Sequence, residues 1–238
     1  MSESTSAPTV VAVMPAYNEA GCIEGVVREW LAAVECLIVV NDGSRDETGA
    51  ILDRVAAECP SLRVIHQANA GHGAALLTGY RAALATGTEW VFQTDSDGQF
   101  FAEDFRLLWD RRETSDFLLG RRAARDDHPV RIYLSGVHAT LLRILFGVRP
   151  GDPNVPFRLI RAERLRAYLR YIPKDTFAPN VFLAILAARD GIETGAIPVR
   201  HRARQTGQVS IRGWKTLKIG WLVFRQLLAF RRTLRRGN

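Results

Sequence analysis

Two aspartates separated by one residue, in Asp95-Ser96-Asp97, follow a hydrophobic run and precede a glycine. On a turning backbone, carboxylates at this spacing can converge on one hard cation, with waters and a diphosphate completing the set of oxygen ligands. A divalent ion held there would neutralise charge that develops on a leaving phosphate. Asp and Ser also suit turns and helix caps, so the pair alone leaves a purely structural interpretation open.

Asp42 is a second acidic candidate, because it ends the hydrophobic run Val-Val-Asn-Asp-Gly-Ser. A carboxylate at a strand end can accept hydrogen bonds from a nucleobase or a ribose, and it can equally cap the next helix. The glycines in 71–76 (Gly-His-Gly-Ala-Ala-Leu) fail the G-x-G-x-x-G pattern at their last position, and the chain has no G-x-x-x-x-G-K. A phosphate-binding loop of either type is therefore not indicated, and these glycines can simply let a helix start close to the sheet.

The elements that must position these residues alternate between strand and helix patterns in the first half of the chain. We predict strands at Thr9–Met14, Cys36–Val40, Leu62–Ile65, Trp90–Gln93 and Phe117–Leu119, and helices at about Glu19–Ala33, Asp46–Glu58, Gly71–Leu84 and Ala102–Arg111. Continuous apolar strands between helices predict an α/β fold with a mostly parallel sheet covered on both faces. Ligands bind at the carboxyl ends of such strands, so the polar clusters 15–19, 41–44 and 95–99 should surround one crevice.

The second half of the chain ends in a basic amphipathic helix. We predict a helix at Val130–Phe146, a strand at Val155–Ile160, helices at Ala162–Tyr171 and Phe177–Ala188, and a strand at Ile192–Val199. An apolar face then recurs at helical spacing with a basic face beside it. The apolar positions are Trp214, Leu217, Trp221, Phe224 and Leu228, and the basic ones are Lys215, Lys218, Arg225, Arg232 and Arg236. The predicted organisation is a flexible N-terminus (1–8), one domain (9–212) and this helix (213–238).

Charge is distributed unevenly along the 238 residues, whose formal net charge is +7. Residues 1–120 carry a net charge of −10 and residues 121–238 carry +17, and no acidic residue follows Glu193. The basic half predicts an anionic partner, such as nucleic acid, phospholipid or a phosphorylated substrate. A content of 47% hydrophobic and 24% charged residues excludes a disordered, collagen-like or disulfide-scaffold chain.

The compartment is expected to be reducing, because the three cysteines form no C-x-x-C motif. The first eight residues lack the basic and apolar regions of a signal peptide, and no stretch of 18 uncharged apolar residues exists. We therefore expect a soluble or peripheral protein.

Taken together, four separated motifs resemble those of the family 2 inverting glycosyltransferases, most closely the polyprenyl- and dolichyl-phosphate sugar transferases of the dolichyl-phosphate mannose synthase type. The motifs are Pro-Ala-Tyr-Asn-Glu (15–19), Asn-Asp-Gly-Ser (41–44), Gly-His-Gly-Ala-Ala-Leu (71–76) and Asp-Ser-Asp-Gly-Gln (95–99). They agree with the family in order and in strand context over most of residues 9–170. The resemblance implies a GT-A fold and a nucleotide-sugar donor, GDP- or UDP-hexose, used with Mg²⁺ or Mn²⁺.

The resemblance also implies roles for individual residues. The donor would be bound by Pro15, Ala16, Tyr17, Glu19, Asp42, Gly73, Asp95, Ser96 and Asp97, and the metal by Asp95, Asp97 and Gln99. Arg122 is similar to the family's phosphate-binding arginine after the fifth strand, and Arg131 is a further candidate on the following helix. The segment 152–158 (Asp-Pro-Asn-Val-Pro-Phe-Arg) is similar to one that usually ends Ser-Gly-Phe-Arg.

A lipid-phosphate acceptor fits this chain best, because its oxygen is already anionic and needs no strong base. It needs positive charge to hold it in line, which Arg122, Arg131, Arg202 and Arg204 can supply. We therefore expect a cytoplasmic enzyme, peripheral at the inner face of the membrane through its C-terminal helix, that transfers mannose or glucose to polyprenyl phosphate without binding nucleic acid.

Two alternatives stay open at this point. A hydroxyl acceptor in a glycan or the cell envelope would need a carboxylate base, for which Asp152 is the candidate. A membrane- or nucleic-acid-binding module on the same fold would use the basic half of the chain without catalysis.

Overall fold

The structure, a computed structural model, describes residues 10–122, 140–148, 155–202 and 214–236, with the backbone alone for 214–220, 235 and 236. Within these residues the strands are β1 (Val10–Ala16), β2 (Cys36–Asn41), β3 (Leu62–His66), β4 (Trp90–Gln93), β5 (Phe117–Arg122), β6 (Arg158–Arg161) and β7 (Ala196–Val199). The helices are α1 (Ile23–Leu31), α2 (Thr48–Glu58), α3 (His72–Ala85), α4 (Phe105–Trp109), α5 (residues 140–146), α6 (Ala162–Leu169), α7 (Pro179–Arg189) and α8 (Trp214–Arg236). Short 3₁₀ turns lie at Ala102–Asp104 and Arg112–Thr114.

These strands form one sheet in the order β3-β2-β1-β4-β6-β5-β7. Strands β1 to β4 pair in parallel, as do β5 and β7, whereas β6 is antiparallel to both of its neighbours. The predicted α/β fold with a mostly parallel sheet is confirmed. The placement of β6 between β4 and β5 was not predicted, because pairing order depends on contacts between residues far apart in sequence.

Strand β6 is reversed, and this brings its first residue to the edge of the sheet where the parallel strands end. Arg158 pairs with Gln93 at the carboxyl end of β4 and with Leu119 in β5. The residues just before β6 therefore approach the same edge as the polar clusters that follow β1, β2 and β4. A parallel strand at this position would have carried them to the opposite edge.

The helices cover the sheet with apolar faces at helical spacing. In α1 the buried residues are Ile23, Val26, Val27 and Trp30, an i, i+3, i+4, i+7 pattern. The Trp30 indole stacks on Phe92 of β4 with ring centroids 5.3 Å apart. Each such buried side chain contributes about 1.5–3 kcal/mol to folding. Helix α7 is buried on nearly every side, since Pro179 to Ala187 are all shielded from solvent.

Most predicted elements are present, with shifted ends. The bounds predicted for β4 match those in the structure, whereas β1 runs two residues further than predicted and contains Pro15 and Ala16. Strand β5 continues through Arg122. The helix predicted from 130 to 146 is described only as α5, because residues 123–139 lie outside the described part of the chain.

The terminal helix is confirmed as an element, and the side that packs on the domain is not the predicted apolar face. The side of α8 that packs on the domain carries Leu227, Phe230 and Leu234, and Trp221 on another side is 62% exposed. Trp221 and Arg225 are four residues apart and both exposed, so they share a face instead of lying on separate ones. No helix in the described part of the chain is long and apolar enough to span a bilayer.

Candidate active site

The loops after β1 and β2 are tied together at the carboxyl edge of the sheet. The backbone N–H of Asn18, which has a positive φ of 54°, donates to Ser44 Oγ at 3.0 Å, and its Oδ1 accepts the N–H of Arg45 at 2.8 Å. The N–H of Glu19 donates to Thr48 Oγ1 at 2.8 Å, and the Glu19 side chain is buried. Two of the predicted polar clusters, 15–19 and 41–44, therefore form one surface.

Asp42 organises the third loop of the site, between β3 and α3. Its Oδ1 accepts the Gln67 Nε2 amide at 2.7 Å and the N–H of Ala70 at 2.9 Å, and its Oδ2 accepts the N–H of Gly71 at 2.8 Å. A carboxylate has about four acceptor directions, so three are used within the protein. Asp42 thus fixes the loop that precedes α3, and its contact with the donor nucleoside remains a prediction.

Gly73 is required by close packing at the start of α3. A Cβ at this position would lie 2.0 Å from the carbonyl oxygen of Thr176 and 2.8 Å from that of Phe177. No side chain fits in that space, so the backbone of the loop before α7 rests directly on the first turn of α3. This observation accounts for the glycine by packing, and the predicted donor contact of Gly73 is not tested by it.

The loop after β4 carries the two aspartates in a tight turn. Asp97 Oδ1 accepts the N–H of Gln99 at 3.1 Å, and Gly98 between them has a φ of +69°, which favours glycine. The carbonyl of Ser96 accepts the Cys22 thiol at 3.6 Å, which ties the turn to the start of α1. The hydrogen bond from Gln99 therefore directs the Asp97 carboxylate back over its own turn, and the contact with Cys22 fixes the turn itself.

Asp95 lies at the electrostatic centre of the site. Burial raises the pKa of Asp95 to about 6, and the negative charge of Asp97 acts in the same direction. The charges of His72, Arg122 and Arg158 oppose this rise. Those three basic side chains come from α3, β5 and β6, so three separate elements bring basic groups to one carboxylate.

The donor atoms at the end of β4 fit a divalent cation. Asp95 Oδ1 is shielded from solvent and has no hydrogen-bond partner among the described residues, and the same is true of Thr94 Oγ1. A buried oxygen without a partner costs about 1–3 kcal/mol, and a bound ion with its waters would remove that cost. No group of three His, Cys, Asp or Glu side chains is placed to hold a metal within the described ranges. The two aspartates would thus need oxygen ligands from a diphosphate and water.

Arg202, predicted to bind the acceptor phosphate, is engaged inside the protein. Its Nε donates to the carbonyl of Gly98, its Nη2 pairs with Glu29 Oε2 at 2.6 Å, and its guanidinium stacks over Phe101 with 4.5 Å to the ring centroid. Its backbone N–H also donates to the carbonyl of Gln99 at 2.9 Å. Through these contacts Arg202 stabilises the turn that carries Asp97.

Gln99, predicted as a metal ligand, also contacts Arg202, because its Nε2 donates to the carbonyl of Arg202 at 3.4 Å. Its Oε1 accepts no hydrogen bond from the described residues and is therefore free for a ligand role. The predicted residues of β1 are less accessible. Pro15 and Ala16 are buried within the strand, and the Tyr17 side chain that follows is exposed.

Arg122 is the predicted arginine that the structure brings to Asp95. Its guanidinium lies over the Phe100 ring at 5.9 Å, and its Nε is shielded and has no hydrogen-bond partner in the described part of the chain. Arg131, Asp152 and Arg204 were also predicted for the site, and they lie outside the described residues.

Arg158 is a site residue whose role the sequence did not reveal. It is fully buried, donating to the carbonyls of Val155 at 3.2 Å and Asn180 at 3.3 Å. A buried guanidinium needs such partners because desolvation of a charge is costly. The signal in the sequence was the similarity of Phe-Arg at 157–158 to a family motif, but only the reversed strand β6 shows why it bears on Asp95.

The comparisons with known proteins identify first the class of fold and then the family. A solved structure of glucosyl-3-phosphoglycerate synthase from Mycobacterium tuberculosis, in complex with Mn²⁺ and UDP-glucose, matches with a TM-score of 0.65 at 22% identity and covers 94% of this chain and 79% of that one. The expected GT-A fold is thereby confirmed. The family model described as glycosyl transferase family 2 matches residues 11–171, and the chain belongs to this family.

Two curated relatives extend the likeness over nearly the whole chain. The undecaprenyl-phosphate mannosyltransferase of Micrococcus luteus is 29% identical over 214 residues, which cover 86% of this chain and 88% of the relative. The polyprenol monophosphomannose synthase of Mycolicibacterium smegmatis is 29% identical over 224 residues, which cover 88% of this chain and 84% of the relative. The predicted enzyme class, a glycosyltransferase, is confirmed.

Proposed function

We propose that the chain transfers a hexose, mannose or glucose, from a UDP- or GDP-sugar to polyprenyl phosphate with inversion at the anomeric carbon. The observation that carries the proposal is the buried Asp95 carboxylate, which has one oxygen without a partner among the described residues and has Arg122 and Arg158 close enough to oppose the rise of its pKa that burial causes. The aspartates can hold a metal ion for the donor diphosphate, and the arginines beside them can bind an acceptor phosphate. The two anionic groups of the reaction could therefore meet at this edge of the sheet. Two relatives that act on polyprenyl phosphates support this acceptor class.

The reaction is a displacement in which an acceptor phosphate oxygen forms a bond to the anomeric carbon. The bond from that carbon to the diphosphate breaks, and the nucleoside diphosphate leaves with the electron pair. The attacking oxygen is already anionic, so no side chain has to remove a proton. The chain must instead hold two anions in line, which is the task of cationic side chains with fixed geometry.

Arg122 is the residue proposed to bind the acceptor phosphate. A guanidinium binds phosphate through two parallel N–H donors, and Arg122 has a shielded Nε without a partner in the described residues. Arg131 and Arg204 are proposed to add to this positive charge. Arg202 bonds to Gly98 through Nε and to Glu29 through Nη2, and its predicted contact with the acceptor phosphate stays a prediction.

The donor is proposed to lie between the β1 and β2 loops and the turn after β4. Asp95 and Asp97, with the side-chain oxygen of Gln99, would hold Mg²⁺ or Mn²⁺, and the bound ion would supply positive charge to the departing diphosphate. The loop that Asp42 fixes and the exposed Tyr17 ring would face the nucleoside.

The exposed face of α8 is proposed to bind an anionic membrane surface. Trp221 is 62% and Leu222 44% exposed, and Arg225 and Arg232 are exposed on the same side of the helix. Aromatic and apolar side chains beside arginines suit the interface of a bilayer with acidic lipids. Phospholipid of negative charge is the occupant that this pairing of charge and apolar surface fits, at the cytoplasmic face where polyprenyl phosphate would be presented.

A transfer assay tests the acceptor. Purified protein is incubated with radiolabelled UDP-glucose, GDP-mannose or UDP-galactose, with Mn²⁺ and polyprenyl phosphate in detergent, and the label is partitioned into butanol. We expect label in the organic phase for one of the first two donors, lost on mild acid treatment as a sugar-phosphate ester should be. Label that stays in water while free polyols or glycans are glycosylated would favour a hydroxyl acceptor instead.

Flotation on vesicles tests the membrane surface separately. We expect Trp221→Ala and Arg225→Gln to weaken binding to vesicles that contain phosphatidylglycerol, and added salt to weaken it further. Thr233→Val on the same helix is the matched control, because Thr233 is exposed and among the described residues its hydroxyl bonds only to Ala229 of its own helix. Equal flotation of all four proteins would reject the surface.

A further inference from the structure

Helix α8 is seated on the domain by an apolar strip. Leu227, Phe230 and Leu234 are buried, and the Phe230 ring meets Phe182 of α7 edge-on with 4.8 Å between centroids. The same ring lies 6.0 Å from that of Phe146, at the end of α5. Apolar contacts of this kind hold a helix in place but allow it to slide, because dispersion and burial are not directional.

Two hydrogen bonds of the buried Gln226 fix the position of α8 along this contact. Gln226 is buried beside the strip, its Oε1 accepts the Thr176 hydroxyl at 3.1 Å, and its Nε2 donates to the carbonyl of Asp175 at 3.2 Å. A buried amide is unfavourable unless both of its ends are bonded. Both hydrogen bonds can therefore form in only one position of α8 relative to the loop 173–178.

That loop rests on the first turn of α3. The carbonyl of Thr176 is the group that a Cβ on Gly73 would overlap, and the carbonyl of Phe177 lies beside it. The loop is compact, because the N–H of Thr176 donates to Pro173 and the N–H of Ala178 donates to Thr176 Oγ1. A shift of Thr176 must therefore move the start of α3 or open a gap beneath it.

The start of α3 belongs to the donor site. The N–H groups of Ala70 and Gly71, just before the helix, are held by the Asp42 carboxylate. Three contacts in series thus connect α8 to the Asp42 carboxylate, from Gln226 to Thr176, from Thr176 to Gly73, and from the start of α3 to the loop that Asp42 holds.

We propose that Gln226 is a positioning residue for the donor, which sets the first turn of α3 through Thr176. The inference rests on the proposed function, because it takes the crevice at Asp42 and Asp95 as the donor site. It adds a role for α8 beyond the membrane surface: the helix that faces lipid on one side fixes the donor site from its other side. Binding or release of α8 would accordingly change the affinity for the nucleotide.

Calorimetric titration of the full chain with UDP and with GDP, each in the presence of Mn²⁺, tests the inference. Gln226→Met removes both hydrogen bonds at nearly constant volume, and Thr176→Val removes the hydroxyl at constant shape. We expect each to raise the dissociation constant of the preferred nucleotide about fivefold, the factor that corresponds to one hydrogen bond. Thr176→Ser keeps the hydroxyl and should bind as the wild type does.

The stoichiometry of binding separates a positioning role from a structural one. A role confined to folding would lower the fraction of protein that binds, and the melting temperature, while the dissociation constant of the remaining sites stays unchanged. The inference is overturned if both variants bind with the wild-type dissociation constant. Thr233→Val is the control and should leave binding unchanged, because the Thr233 hydroxyl donates to Ala229 within α8. A wild-type chain that binds neither nucleotide would instead refute the proposed function.

Discussion

The Arg202 guanidinium and the Glu29 carboxylate meet at 2.6 Å beside the loop that carries Asp97. The other oxygen of Glu29 accepts the N–H of Ala102 at 3.1 Å, and the Nε of Arg202 donates to the carbonyl of Gly98. Helix α1 and the segment after β7 thus hold both ends of the loop 98–102. Both side chains are partly shielded, so the pair is screened less than a fully exposed one.

Glu29→Gln should weaken Mn²⁺ binding without unfolding the protein. The amide lacks the charge that holds Arg202, so Arg202 no longer stabilises the turn at Gly98. The Asp97 carboxylate on that turn then loses its fixed direction. Loss of a group behind the metal ligands weakens metal affinity about tenfold or more, which electron paramagnetic resonance of free Mn²⁺ would measure. Glu24→Gln on the same helix is the matched control, since Glu24 pairs with the exposed Arg28 and Arg54. Equal affinities for the two variants would contradict the role of Glu29.

Asp95→Asn should abolish sugar transfer while leaving the fold at least as stable. The substitution is nearly isosteric, and it replaces a carboxylate whose charged form burial disfavours. Removal of a group that stabilises charge in the transition state typically costs about 10²–10³-fold in rate. Activity and melting temperature, measured on the same preparation, check both halves. A variant with more than about a tenth of the wild-type rate would remove Asp95 from the metal site.

Gly73→Ala should destabilise the protein and disturb the donor site together. The new methyl group would overlap the carbonyl of Thr176, and overpacking of this kind costs about 1–3 kcal/mol. Gly25→Ala in α1 is the matched control, because among the described residues no atom beyond its chain neighbours and its own helix backbone lies within 4 Å of its Cβ position. That change should stabilise the protein by about 0.5–1 kcal/mol, the helix preference of alanine over glycine. Urea unfolding of the two variants distinguishes them by the sign of the change.

The strands that position the site could be predicted because each is a continuous apolar run, and the bounds of β4 were correct to the residue. The aspartates that follow β4 could be found for the same reason, since their chemistry is local to one turn. The position of β6 could not be found, because Arg158 pairs across the sheet with residues about 40 and 65 positions earlier.

The role of Arg202 could not be predicted either. The arginines near Arg202 in the sequence favoured a phosphate partner. The carboxylate that binds Arg202 in the structure, Glu29 of α1, lies 173 residues away in the sequence. The side of α8 that packs on the domain could not be predicted for a related reason. Periodicity defines an apolar stripe, but which stripe packs depends on the groove that Phe182 and Thr176 offer.

Asp116→Asn should cost about 1 kcal/mol of stability at pH 7, a cost that disappears in acid. Although burial alone would raise the pKa of Asp116, hydrogen bonds from Arg164 at 2.9 Å and Arg161 at 2.7 Å hold it below its usual value. These groups are partly exposed, so the pair is worth only about 1 kcal/mol. A carboxylate with a lowered pKa stabilises the fold above its unfolded pKa of about 3.9, and this stability is lost as the pH falls further towards the folded value. Urea unfolding at pH 7 and pH 3 should show the difference between the proteins shrink, and a difference that stays constant would exclude this ion-pair cluster as its source.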